Sequence, residues 1–217
     1  MAITDEWRTD YKGRKILPTK DWVVPNKKDF KWQFLEVIIN MQPQTPQTKQ
    51  IRKWIADRAV SLPIVQENRT GQLPDSTREH KNSTQRAILR DAINMYRKCE
   101  FVSDYPAKDA KVINTCITLA KSNGQVRLIA DLRNSNVFII APKFALPNIY
   151  SVLLEPATWM MKFDLSNAFM HFDITEDMKP YCCFRDYKGK IMTWNKLPWG
   201  SSIAPYVCQT IMEPVLH

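Results

Sequence analysis

Asn123-Gly124 stands between two runs of alternating, β-branched residues, Val112 to Ala120 and Gln125 to Ala130. Asn-Gly in that setting is the strongest short-range signal for a hairpin, because both residues accept the positive φ that a tight reversal needs. A second pair of runs, Tyr181-Cys182-Cys183-Phe184 and Ile191-Met192-Thr193-Trp194, flanks Asp186-Tyr187-Lys188-Gly189 in the same way. The second half of the chain is thereby committed to antiparallel sheet. The first half follows another period. Phe30, Phe34, Val37, Ile38 and Met41 step by three and four, the apolar face of a helix that must stop before Pro43. Thr45-Pro46 then supplies an N-cap and a proline at the first helical position. Ile51, Trp54, Ile55, Ala59 and Leu62 form the stripe of this second helix as far as Pro63. A third helix starts at Ser83 or Thr84 and carries Ile88, Leu89, Ala92, Ile93 and Tyr96. Helices followed by hairpins specify an α+β fold.

Residues 1–25 are polar, dotted with Trp and Pro and without a period, and read as an extended arm that carries no chemistry. The polar stretch 66–83, with Gly71 and Pro74, reads as a linker. The expected organisation is a helical N-terminal segment, 1–83, of unassigned role, and a second unit over 84–217. Between the two hairpins, Pro147 can open a short helix through Leu154, and Trp159 to Phe163 reads as a buried strand ending at Asp164. Ser202 would cap a last helix with Pro205 in its first turn.

With 44% hydrophobic and 24% charged residues the chain can bury a core. Thirty-one Lys and Arg against 22 Asp and Glu leave a net charge of +9, which favours a polyanionic partner, nucleic acid first. On the second helix Lys49, Arg52, Lys53 and Arg58 form a basic face that could grip phosphates or could simply be solvated. No apolar run approaches the ~20 residues needed to span a bilayer, and the N-terminus lacks a signal-peptide pattern. No membrane association and an intracellular compartment are therefore expected. Five cysteines, an odd number with no C-x-x-C pair, read as free thiols.

The feature with most chemical content is the apolar strand delivering Asp164. A carboxylate at a strand end, beside its neighbour's backbone carbonyl, can hold a hard divalent cation. Taken alone, an Asp after a strand is more often a helix cap or turn former. Its surroundings change that reading. Val126-Arg127-Leu128-Ile129-Ala130-Asp131-Leu132-Arg133, Lys143-Phe144-Ala145-Leu146-Pro147, Phe163-Asp164-Leu165-Ser166-Asn167-Ala168-Phe169, and Leu197-Pro198-Trp199-Gly200 with Ala204-Pro205 and Gln209 occur in this order. The sequence over about 84–217 resembles a reverse transcriptase of the retrotransposon and retrovirus-like kind. These four segments resemble, in turn, its fingers motif, its Tyr-Pro-Leu-Pro-type segment, palm motif A and motif B.

The resemblance implies the fingers and an incomplete palm of a right-hand polymerase, and an RNA-directed DNA polymerase adding deoxynucleotides to a primer 3′-hydroxyl by two-metal phosphoryl transfer. Asp164, with the Leu165 carbonyl, would bind two Mg²⁺ or Mn²⁺ ions. Arg127 and Lys121 would reach the triphosphate, Arg127 as a forked donor and Lys121 as a point charge. Phe169 falls at an aromatic steric gate that would exclude a 2′-hydroxyl. Trp199 would lie on the pocket floor, and Gly200 would let the backbone approach the nucleotide. Asp131, Arg133, Pro205 and Gln209 fall on the template–primer side, although Asp131 and Arg133 read more simply as a mutual pair, and Gln209 could bond backbone instead. Trp194 and Trp199 could stack on bases or fill the core. Implied partners are an RNA or DNA template–primer, deoxynucleoside triphosphates and the rest of a polyprotein.

Two departures qualify the resemblance. Trp199 stands where Gln, Phe or Met is usual. In addition, these 217 residues contain no Asp-Asp dipeptide, whereas the family needs a Tyr-x-Asp-Asp turn after motif B. The expectation is a fingers-plus-partial-palm piece that is inactive alone. The alternative is a retroelement-derived protein that binds nucleic acid or another chain without catalysis.

Overall fold

In the computed structural model of the chain, the residues described are 7–25, 30–61, 64, 83–140, 142–146 and 164–216. The N-terminal residues are not an extended arm. β1 (Arg8–Thr9) pairs antiparallel with β2 (Lys15–Ile16) about a turn in which Gly13 has φ +74°. The turn is closed by Asp10, whose Oδ1 accepts the backbone N–H of Lys12 and of Arg14, both at 2.9 Å. Such side-chain closure leaves no hydrophobic period to read. The hairpin is tied to the rest of the protein by charge. Arg8 Nη1 donates to Asp91 Oδ2 at 3.1 Å, Thr19 Oγ1 donates to the same oxygen at 3.0 Å, and the Asp91 side chain is fully buried. A buried carboxylate is tolerable only when so satisfied.

α1 (Trp32–Asn40) forms where expected, before Pro43, but buries a different stripe. Trp32, Leu35 and Ile39 face the core, whereas Phe34, Val37 and Met41 are 61, 61 and 74% exposed. Both stripes are apolar at helical spacing, so periodicity alone does not choose between them; packing on α2 and on the last helix does. α2 (Pro46–Asp57) opens with a reciprocal cap: Thr45 Oγ1 accepts Thr48 N–H at 3.1 Å and Thr48 Oγ1 accepts Thr45 N–H at 2.8 Å. Ile51 and Trp54 are buried, and Trp54 Nε1 donates to the Ser61 carbonyl at 2.7 Å. Burying such a ring contributes about 2–3 kcal/mol. On the basic face of α2, Arg52 is spent on the Ile39 carbonyl at 2.8 Å, leaving Lys49, Lys53 and Arg58 exposed. α3 (Ser83–Lys98) buries Ile88, Leu89, Ala92, Ile93 and Tyr96, the stripe read from sequence.

The sheet follows. β3 (Val102–Asp104), β4 (Ile113–Ala120), β5 (Val126–Asp131), the one-turn α4 (Arg133–Asn136), β6 (Cys183–Arg185), β7 (Ile191–Trp194) and α5 (Ala204–Leu216) complete the chain order. Both expected hairpins are present, β4 with β5 and β6 with β7, and Gly124 takes φ +77° in the first turn. The spatial order is β3-β7-β6-β4-β5, antiparallel except that the hairpins join through parallel pairing of β4 with β6. Buried Asn114 holds this seam: its Nδ2 donates to the carbonyls of Tyr181 (3.2 Å) and Cys183 (2.9 Å), and its Oδ1 accepts from Ser135 Oγ (2.8 Å). β3 is three residues long, too short to show a period in sequence. α3 covers the sheet, and Leu128 N–H donates to the buried Tyr96 hydroxyl at 3.3 Å.

One buried cluster runs through Trp22, Trp54, Ile88, Leu128, Trp194 and Ile211, so residues on both sides of position 83 share it. All five cysteines are free thiols, and burial pushes Cys182, Cys183 and Cys208 up to about 12. No helix among the described residues is long and apolar enough to cross a membrane. α2 ends at Asp57, with Arg58 at φ 49°, short of the expected stop at Pro63; of the linker read over 66–83, Ser83 belongs to α3, and its remaining residues, Leu62 and Pro63, the helix at 147–154 and the strand at 159–163 lie outside the described residues.

Candidate functional site

Burial alternates along β5: Val126, Leu128 and Ala130 are buried, while Arg127, Ile129 and Asp131 share the half-open face. Arg127 is thus aimed off the sheet by the same period-2 pleat that drives its neighbours into the core. Its guanidinium lies over the Trp199 ring, 4.3 Å from the centroid. Trp199 in turn meets Phe169 at 4.6 Å between centroids and 53° between planes. A cation over an indole face is stabilised by about 0.5–2 kcal/mol, more as water is excluded. Phe169 reaches this stack from a 3-10 turn, Ala168–His171, entered through Asn167 at φ 53°. Three residues singled out from separate sequence segments therefore form one column.

Beside the column, at the β4–β5 turn, is an open cavity of about 380 Å³ lined by Lys121, Ser122, Asn123 and Arg127, with Arg14 from the N-terminal hairpin. Burial, and then the nearby Arg127, depress the Lys121 ammonium below its ordinary pKa. Among the described residues, Arg127 Nε, Trp199 Nε1 and Ser201 Oγ are buried without a hydrogen-bond partner. Buried donors are normally satisfied. A cationic cavity lined in part by Arg127, whose Nε is unspent, is suited chemically to a polyanion.

Gly200 serves the frame. It takes φ +105°, and a Cβ there would stand 2.1 Å from the Ala130 carbonyl oxygen. The close approach that glycine permits is thus to β5, where Ala130 N–H donates to the Trp199 carbonyl at 3.2 Å. Asn136 holds the same loop, donating to the Gly200 carbonyl (3.2 Å) and accepting from Ser202 N–H (3.1 Å). Sequence reading assigned Asn136 no role, since its partners lie 64 and 66 residues away. Asp131 and Arg133 form a forked pair at 2.8 and 2.6 Å, consistent with the simpler reading of them. Gln209 Nε2 donates to the Ala145 carbonyl at 3.0 Å, a backbone bond, and Pro205 is half-buried in the first turn of α5. Trp194 is wholly buried and belongs to the core.

Asp164 and Leu165 are exposed. Among the described residues no group of three or more His, Cys, Asp or Glu side chains converges to hold a metal. A hard divalent cation takes about six oxygen ligands. Asp164 and the Leu165 carbonyl are too few for one such ion, and these residues by themselves do not fit a two-metal centre. Asp173, the next acid along the sequence, is engaged by buried Lys196 at 2.8 Å.

Residues 119–217 match the family described as reverse transcriptase (RNA-dependent DNA polymerase). No curated protein matches the chain in sequence. Among solved structures, the chain is similar to the foamy viral protease–reverse transcriptase in complex with double-stranded DNA: TM-score 0.52, 18% identity, covering 92% of this chain and 39% of that one. It is also similar to a CSH mutant of the prototype foamy virus protease–reverse transcriptase: TM-score 0.51, 18% identity, covering 93% and 30%. The stretch 119–217 thus matches the reverse transcriptase family, and the α+β fold is similar to that of the foamy viral protease–reverse transcriptase. The chain spans less than half the length of the solved chains it resembles.

Proposed function

We propose that this chain is the fingers and part of the palm of an RNA-directed DNA polymerase that adds deoxynucleotides to a primer held on an RNA or DNA template. The observation that carries the reading is the column of Arg127, Trp199 and Phe169 beside the cationic cavity. In this reading Arg127 and Lys121 hold the triphosphate, Phe169 lies under the deoxyribose and excludes a 2′-hydroxyl, and Trp199 keeps the Arg127 fork in place. Positioning and charge complementarity are what the protein contributes to phosphoryl transfer. The family's chemistry uses divalent metal ions, Mg²⁺ or Mn²⁺; Asp164 and the Leu165 carbonyl are the ligands on offer here, and the remaining carboxylates must come from outside the described residues. We therefore read the 217 residues as inactive alone, working within a retroelement polyprotein inside the cell. Asp131, Arg133, Pro205 and Gln209 border the template–primer through the backbone positions they fix.

The lone, exposed Asp164 favours a second reading, a retroelement-derived protein that binds nucleic acid without catalysis. Primer extension on an RNA template with deoxynucleotides and Mg²⁺ separates the two, comparing this chain, its Asp164→Asn variant and any longer product of its reading frame. The expected result is extension by a longer product only, lost with Asp164→Asn. Asp164-dependent extension by the 217 residues would overturn the account of the missing ligands. Salt-sensitive binding of primer–template that is indifferent to Arg127→Gln, with no extension by any product, would favour the second reading.

A further inference from the structure

The N-terminal hairpin delivers a third cation to the cavity, from outside the stretch matched by the family model. Arg14 lines the cavity opposite the β4–β5 turn, and its direction is set by Asp10. The Asp10 carboxylate is fully buried. Its Oδ2 accepts from Arg14 Nε at 2.8 Å, Arg14 Nη2 at 2.7 Å and Ala120 N–H at 3.1 Å. One oxygen therefore fixes both the guanidinium of Arg14 and the strand residue preceding Lys121. A second tie, Leu17 N–H to the Gly124 carbonyl at 2.9 Å, fastens the far side of the turn. The cavity rim is one hydrogen-bonded body made from two hairpins. Three cations, Arg14, Lys121 and Arg127, stand against the single charge of Asp10, and among the described residues no carboxylate lines the cavity.

Cations crowded in this way repel one another, and burial deepens the cost. Burial first, and then the charge of Arg127, depress the pKa of Lys121. The arrangement becomes favourable when a multiply charged anion bridges the three, since each charge-assisted hydrogen bond gained is stronger than a neutral one. Arg14 is suited to this because its Nε side is spent on Asp10 while the side chain as a whole remains 47% exposed.

Resting on the polymerase reading above, we propose that Arg14 is a third phosphate-binding residue of this site, supplied by the N-terminal hairpin and positioned by Asp10, and that the anion is the polyphosphate of a nucleoside triphosphate. The same chemistry would accept inorganic tripolyphosphate, so both are used as probes.

The test is calorimetric titration of the full chain at low salt with tripolyphosphate and with dTTP, for the parent, Arg14→Gln, Arg14→Lys, Arg127→Gln and Lys15→Gln. Lys15 is an exposed lysine of the same hairpin that does not line the cavity. Arg14→Gln is expected to weaken both probes about tenfold or more, the loss of one charged hydrogen-bonding group. Arg14→Lys restores charge without the fork and is expected to recover binding in part, and Lys15→Gln changes it less than about twofold. If Arg14→Gln binds like Lys15→Gln, the inference is wrong. If Arg14→Gln fails to fold, Arg14→Lys decides, parent-like affinity overturning the inference. dTTP binding lost in Arg127→Gln but kept in Arg14→Gln overturns the inference and leaves the polymerase reading standing. If dTTP binds no tighter than tripolyphosphate, the polymerase reading loses its nucleotide, while the dependence of tripolyphosphate on Arg14 still decides the inference. A parent that binds neither probe overturns both.

Discussion

The two sides of the candidate site are built to different standards. On the phosphate side, Arg127 is aimed by the β5 pleat, covered by Trp199 and Phe169, and bordered by a cavity whose rim is hydrogen-bonded through backbone. On the carboxylate side, Asp164 is exposed, with no cluster of ligating side chains around it among the described residues. A phosphate cradle can be assembled from two hairpins, because the pleat of β5 and the Asp10 carboxylate set the directions of Arg127 and Arg14. A metal centre needs several carboxylates from separate segments, and the repulsion among them is offset only when the ions and all the ligands are present. The contrast predicts that substitutions on the first side disturb the fold, whereas those on the second do not.

The largest effect is expected at Gly200. In Gly200→Ala the new Cβ would meet a backbone oxygen at 2.1 Å, at a φ of +105° that L-residues rarely adopt. That oxygen belongs to Ala130, whose strand is paired with Cys116 of β4, so it cannot step aside cheaply. A loss of about 3–5 kcal/mol is expected in urea unfolding. A near-neutral result would mean that the 197–202 loop does not depend on its approach to β5.

Trp199→Ala comes next. It removes the ring beneath Arg127 and the contact with Phe169, and a half-buried tryptophan replaced by alanine costs about 2–4 kcal/mol. Trp199→Phe should regain part of that in the same unfolding experiment. If both variants lose equally, the column needs the full span of the indole and not merely an aromatic face beneath Arg127.

Much of this construction was legible in sequence where the cause is local. Asn123-Gly124 and the flanking alternation announced the β4–β5 hairpin, and Thr45-Pro46 announced the start of α2, because turns and caps are decided within a few residues. Arg127, Phe169 and Trp199 were each picked out, but not the column they form, since stacking depends on the approach of distant segments. Three things were hidden. The buried stripe of α1 is chosen by α2 and α5 rather than by its own period. The close approach of Gly200 is to Ala130, a residue across the sheet. Arg14 and Asp10 sit in a stretch that reads as inert, because a turn closed by one carboxylate leaves no pattern.

Asp10 gives the next test. Burial opposes its ionisation, but hydrogen bonds from Ala120, Arg14 and Lys12 outweigh this and hold the carboxyl below its ordinary value of 3.8. A carboxyl depressed in the folded state adds stability that is fully present above its unfolded pKa and is lost as pH falls through the folded value. Asp10→Asn should therefore cost about 1–3 kcal/mol at neutral pH. The gap from the parent should close as pH falls below about 4. Thermal unfolding at a series of pH values reads this directly, and a gap that persists into acid would show that the Asp10 contribution is not one of charge.

The smallest effect is expected at Asp164, which makes it the sharpest test of the contrast. An exposed carboxylate with no ligating cluster beside it holds nothing in place, so Asp164→Asn should change unfolding stability by no more than about 0.5 kcal/mol in either direction. Urea unfolding of this variant beside Trp199→Ala places the two sides on one scale. A loss for Asp164→Asn comparable to that of Trp199→Ala would mean that the carboxylate is already engaged in the fold, and the division into a built and an unbuilt side would fall. A neutral result, alongside the expected loss of primer extension in a longer product, would mark Asp164 as a residue retained for a ligand rather than for the fold.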